Sequence, residues 1–130
     1  MLASLPLRCL VVDDNAMSRQ LLQQLVRTTP ALELVGALPD ARQVPALLAR
    51  QPVDVLLLDV EMPYLSGLDL IRQLGAAAPS VVLVTASPEY EREARALRVA
   101  DFLLKPLGAG QFRQSMARLL AYVRARGGAD

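Results

Sequence analysis

The sequence predicts a doubly wound α/β fold, with five parallel strands in one sheet and a helix after each. Two patterns carry this expectation. Short apolar runs with little alternation recur along the chain, as strands buried on both faces require. Longer segments of helical period separate them, so the order reads strand, helix, strand, helix throughout. Size agrees: 130 residues, 53% of them hydrophobic, suit one domain with a sizeable core. Only five residues are Tyr or Phe and none is Trp, so that core must be aliphatic.

The first strand is read at residues 8–12 (RCLVV), and Met17, Leu21, Leu22, Leu25 and Val26 then follow a helical spacing. The second strand, residues 32–35, includes the charge of Glu33 and reads as an edge. Val44, Leu47 and Leu48 mark the second helix. The third strand is residues 53–58 (VDVLLL), followed by a helix with Leu68, Ile71 and Leu74 that stops near Gly75. The fourth strand is residues 81–84 (VVLV). Its helix runs over 88–99, is heavily charged, and has Pro88 where the first turn tolerates it. The fifth strand is residues 101–104 (DFLL), and the last helix places Phe112, Met116, Leu119, Leu120 and Val123 on one face. Residues 126–130 (RGGAD) read as a frayed tail, so residues 1–130 form one domain with its core at about 7–125. Five such units predict a doubly wound sheet with right-handed crossovers, and the flavodoxin-like order 2-1-3-4-5 known for chains of this kind is expected, with function at the carboxyl ends of the strands.

Composition removes several function classes. There is no His, so imidazole metal ligands, a histidine base and a phosphohistidine on this chain are all excluded. The lone Cys9 has no internal partner, which suits a reducing cytoplasm. A net charge of +1 argues against nucleic acid as an obligatory partner. The apolar start is broken by Pro6 and Arg8 and has neither a membrane span's length nor a signal peptide's layout. No membrane association is therefore expected.

The strand ends carry the chemistry. Strand 1 ends in Asp13-Asp14, strand 3 in Asp59, strand 4 in Thr85 and strand 5 in Lys105-Pro106. Singly, each has an ordinary structural reading: Asp14 or Asn15 as a helix N-cap, Asp59 as a turn residue, Thr85 as a β-former, Lys105 as a solvated turn charge. Jointly they place three carboxylates, a hydroxyl and an ammonium in one small site. Carboxylates ~4 Å apart repel by a few kcal/mol per pair at an effective dielectric of ~20. A divalent cation relieves that repulsion, and Mg²⁺ binds through one or two carboxylates while keeping sites for water and phosphate oxygens. Lys105 adds a point charge for an anion.

Over about residues 7–125 the chain resembles the receiver domain of bacterial response regulators. The resemblance rests on VVDD (11–14), LLDVEMP (57–63) with Ser66-Gly67, Thr85-Ala86, and DFLLKP (101–106), in that order and at these spacings. It implies that Asp59 is the phosphorylated carboxylate. It implies that Asp13, Asp14, Asp59 and the backbone carbonyl of Glu61 hold Mg²⁺. Lys105 would pair with the phosphoryl group, Thr85 would donate to a phosphate oxygen, and Phe102 would be the aromatic that turns inward on activation. Glu61 and Ser87 would flank the path of the hydrolytic water. The Lys105-Pro106 bond is expected to be cis. The implied partner is a sensor histidine kinase or a histidine phosphotransfer protein. The implied output is the surface of helix 4, strand 5 and helix 5, with Glu89, Glu91, Arg92, Glu93, Arg95, Arg113 and Arg118, through which a homodimer can form. On this reading the chain is a self-phosphorylating and self-dephosphorylating switch and not a turnover enzyme. Within the family, Glu89-Tyr90, DFLLKP and MPYLSG (62–67) resemble receivers that precede a LytTR-type DNA-binding domain.

Two other classes stand beside this reading. A pseudo-receiver that never takes phosphate is opposed by the intact Asp13, Asp14, Asp59, Thr85 and Lys105 set. A haloacid-dehalogenase-like phosphatase has its aspartyl nucleophile after the first strand in a DxD motif, whereas Asp59 follows the third strand in DxE. A flavin site would need a Ser/Thr- and Gly-rich phosphate loop after strand 1, and none is present there.

Overall fold

A computed structural model describes residues 6–128. The elements alternate as expected: β1 (Leu7–Val12), α1 (Ala16–Arg27), β2 (Leu32–Leu38), α2 (Val44–Arg50), β3 (Val55–Leu58), α3 (Gly67–Leu74), β4 (Ser80–Thr85), α4 (Glu91–Ala96), β5 (Asp101–Leu104) and α5 (Ala109–Gly128). Short 3-10 turns lead into α2 and α4 and follow α3. The sheet order is β2-β1-β3-β4-β5, with every neighbouring pair parallel.

Strand alternation sorts the core into two layers. Leu10, Val12, Leu56, Leu58 and Leu83 point to one face, where Val44, Leu47, Leu68 and Ile71 cover them from α2 and α3, and Ala94 from α4. Cys9, Val11, Val55, Leu57, Val82 and Val84 point to the other, under Leu22 and Val26 of α1 and Phe112, Met116 and Leu119 of α5. A residue and its successor are thus both buried, which is why the strands show no polar alternation. Burial also pushes the Cys9 thiol up to about 12, so it is an unreactive core group.

Several boundaries differ from the sequence expectation, four of them with a clear cause. β2 extends to Leu38 because it pairs with the whole of β1, up to Val12 opposite Leu38, with a register shift between Cys9 and Leu10. Gly36 hid this extension, since Gly is a poor strand former; a Cβ there would lie 3.1 Å from a Leu10 methyl. β3 starts at Val55, because the Asp54 carboxylate takes the Arg8 backbone N–H at 2.8 Å and the Arg8 guanidinium at 2.9 Å. α4 ends at Ala96 and not Val99, as Arg98 takes a left-handed φ of 62°. α5 continues to Gly128, so residues 126–128 are helical where fraying was expected; residues 129–130 lie outside the described part.

Gly67 ties the fold to the strand-end loops. A Cβ on it would lie 2.2 Å from the Asp59 carbonyl oxygen, so no side chain fits there without moving backbone. We expect Gly67→Ala to lower unfolding free energy by about 1–3 kcal/mol. Urea denaturation checks this: a midpoint equal to wild type would show that the β3–α3 loop yields freely.

Candidate functional site

Each polar strand-end residue lies just past, or at the end of, its strand, and backbone bonds hold three of them in the ladder. The N–H of Asp13 donates to Leu38 O at 3.0 Å, that of Asp59 to Val12 O at 3.0 Å, and that of Lys105 to Thr85 O at 2.9 Å. The sheet therefore fixes where these side chains emerge. Asn15 caps α1, its side chain accepting the Ser18 N–H at 2.8 Å. Ser66 caps α3 by accepting the Asp69 N–H at 3.1 Å. The Gly67 N–H donates to Val60 O at 2.8 Å, which closes the loop that carries Asp59.

Asp13, Asp14 and Asp59 each bring a carboxylate oxygen within 4.8 Å of the others. Asp13 is fully buried, Asp59 nearly so, and Asp14 faces solvent. Lys105 Nζ donates to Asp13 Oδ2 at 2.8 Å and to Asp59 Oδ2 at 3.2 Å. The remaining Asp59 oxygen, Oδ1, is buried with no hydrogen-bond partner. An acceptor left so carries its full desolvation cost, about 1–3 kcal/mol or more for a charged group. Three clustered carboxylates and an orphaned oxygen fit a hard divalent cation with oxygen ligands.

The site's electrostatics follow from burial. Desolvation holds the Asp59 carboxyl above the ordinary carboxylate range; Lys105 pulls it down, and the charge of Asp13 pushes it up again. For Lys105 burial favours the neutral form, but the hydrogen bond it donates to Asp13 and the charges of Asp59 and Asp13 outweigh it and raise its pKa. Lys105 is thus a secure cation shared between two acids, and Asp59 remains undercompensated.

Thr85 is buried at the end of β4, with Oγ1 accepting the Ser87 N–H at 3.3 Å. Phe102 is buried among the α2–α4 layer, turned inward. The Glu61 carboxylate accepts the Ser87 hydroxyl, which bridges the loops after β3 and β4. The Lys105-Pro106 peptide bond is cis. Sequence reasoning missed two residues of α1. Ser18 Oγ donates to Asp13 Oδ2 at 2.6 Å, and Arg19 Nη1 donates to the Asp13 carbonyl at 2.8 Å. Their position one turn into the helix that follows Asp13-Asp14 was the available signal.

On the expected output surface, several charges are spent within the chain. Glu91 pairs with Arg95, Glu93 with Arg72, and Arg118 with Asp101. Glu89, Arg92 and Arg113 form no ion pair among the described residues. No described helix is long and apolar enough to cross a membrane.

Comparison with known proteins agrees with this geometry. Residues 9–117 match the response regulator receiver domain family. Protein-glutamate methylesterase/protein-glutamine glutaminase 2 of Pseudomonas aeruginosa is 38% identical over 133 residues, covering 94% of this chain and 38% of that protein. A protein of the same name from Cereibacter sphaeroides is 40% identical over 130 residues, covering 92% of this chain and 36% of its own length. Among solved structures, the response regulatory domain of protein mrkE from Klebsiella pneumoniae superposes with a TM-score of 0.82 at 29% identity, covering 89% of this chain and 97% of that one. The chain spans about a third of the length of the curated relatives it matches, from 27% to 38%. Their names overturn one expectation: the sequence reading set enzymes aside, and the proteins this chain is similar to are named as enzymes, with the match confined to their receiver part. The same names give no support to the LytTR-type pointer.

One prediction follows from the charge balance. A folded-state pKa raised above its unfolded value means the folded chain binds the proton more tightly, so stability falls as pH rises through that value. At neutral pH ionised Asp59 therefore opposes folding. In metal-free buffer we expect Asp59→Asn to melt a few degrees above wild type, with the gap closing as pH falls below the ordinary aspartate range. A variant that melts lower would show that Lys105 already neutralises Asp59.

Proposed function

The chain belongs to the response regulator receiver domain family, and from that premise we propose that it accepts a phosphoryl group on Asp59 and switches its surface in response. One observation carries the reading: the buried, unpartnered Oδ1 of Asp59 beside two further carboxylates and a lysine. Residues 7–125 act as one receiver unit.

Asp13, Asp14, Asp59 and the backbone carbonyl of Glu61 would hold Mg²⁺, which when bound neutralises charge on carboxylates and phosphate oxygens. An Asp59 oxygen attacks the phosphorus of a phosphohistidine on a partner; the new O–P bond forms as the P–N bond breaks, and the imidazole leaves with the electron pair. Phosphoryl transfer of this kind needs positioning and charge stabilisation above all. The strand ladder supplies the first. Lys105 supplies the second by moving from the carboxylates to the incoming phosphoryl oxygens. The partner must provide the histidine, since this chain has none; a sensor histidine kinase or a histidine phosphotransfer protein fits.

After transfer, the phosphoryl group adds nearly two negative charges and three acceptor oxygens. Thr85 leaves the Ser87 amide to donate to one of them, and the β4–α4 loop follows. That movement, with Phe102 inward, reshapes the surface of α4, β5 and α5, where a second copy can dock through Glu89, Arg92 and Arg113. The methylesterase names of the relatives favour an output of that enzymatic kind over DNA binding. A cytoplasmic setting accords with the single free thiol of Cys9.

Intact mass spectrometry after incubation with Mg²⁺ and a small phosphodonor tests this. We expect one added phosphoryl group, none without Mg²⁺ and none in Asp59→Asn. Lys105→Ala should slow labelling by about 10²-fold. No mass gain with several donors and a candidate kinase would leave the pseudo-receiver as the surviving reading.

A further inference from the structure

Three different residues donate hydrogen bonds to the Asp13 carboxylate. It is fully buried. Oδ1 accepts the Asn15 N–H at 2.9 Å. Oδ2 accepts the Ser18 hydroxyl at 2.6 Å and Lys105 Nζ at 2.8 Å. A carboxylate offers about four lone-pair sites. Three are occupied, both of those on Oδ2 among them, so the open site is on Oδ1. A cation arriving between Asp13, Asp14 and Asp59 can reach Asp13 only through that oxygen, unless a present donor leaves.

The three donors differ in permanence. The Asn15 amide belongs to the backbone at the N-cap of α1. Ser18 stands in the first turn of the same helix, with its own N–H held by the Asn15 side chain at 2.8 Å. Lys105 is shared with Asp59, and it is the one donor with a second task. We propose that Ser18 is a positioning residue for the metal site: its hydroxyl locks the Asp13 carboxylate so that Oδ1 faces the cation whether or not Lys105 stays. This rests on the Mg²⁺ reading above. The hydroxyl is selected by chemistry, because it donates to an anion from a short side chain with little freedom to lose. Ala at this position leaves Oδ2 with one donor and lets the carboxylate rotate whenever Lys105 moves to a phosphoryl oxygen. Groups that orient ligands in this way typically contribute 10–100-fold to metal affinity.

Isothermal titration of the full chain with Mg²⁺ alone, without phosphodonor, tests the inference. Ser18→Ala and Ser18→Val should each weaken Mg²⁺ binding by about 10-fold. Ser18→Thr, which matches Val in shape but keeps the hydroxyl, should stay within about 2-fold of wild type. Circular dichroism confirms that each variant is folded. Wild-type affinity in Ser18→Ala and Ser18→Val overturns the assignment of Ser18 and leaves the metal site standing. Equal losses in Thr and Val also overturn it, since bulk and not the hydroxyl would then matter. A wild-type chain that binds no Mg²⁺ overturns both the metal reading and this inference.

Discussion

Mutual repulsion among carboxylates at one end of a parallel sheet is the constraint on which the rest of this structure turns. Asp13, Asp14 and Asp59 converge within 4.8 Å, and one lysine pairs with two of them, Asp13 and Asp59. Folding alone gives no reason to bury such a set. The apolar layers on both faces of the sheet supply the free energy that holds it in place, with Leu56, Leu57 and Leu58 fully buried immediately before Asp59. The site is thus an excess of negative charge maintained by a hydrophobic core, and a bound cation would relieve it.

The same architecture explains how a small chemical change can spread. Asp59, Thr85 and Lys105 end three neighbouring strands, and Lys105 and Thr85 are joined through the backbone at 2.9 Å. Glu61 reaches across to Ser87, so the loop after β3 already touches the loop after β4. On the proposed reading, a group added at Asp59 would compete with Asp13 for Lys105 and would lie next to the strand that ends in Thr85.

Much of this was legible in the residues. The parallel sheet covered on both faces followed from apolar runs that do not alternate, the strand order from likeness to known chains of this kind, and the grouping of the site from polar residues placed at the strand ends. What escaped has physical causes. Gly36 disguised the second half of β2, because strand pairing there depends on β1 and not on local preference. Arg98 ended α4 early through a backbone conformation that charge patterns do not reveal. Ser18 and Arg19 looked like ordinary helix surface, since their contact with Asp13 depends on the angle at which α1 leaves the sheet. The relation to enzymes was invisible for a different reason: similarity to methylesterases lies in overall sequence, and no residue of this chain signals that chemistry.

The location of the phosphoryl group bears most directly on this account. An acyl phosphate is reduced by borohydride to an alcohol, which turns a phosphorylated aspartate into homoserine, and peptide mass mapping then finds the residue. After phosphorylation in the presence of Mg²⁺, homoserine should appear at position 59 and at no other aspartate. Homoserine at Asp13 or Asp14, or a label that resists borohydride on a hydroxyl, would contradict it.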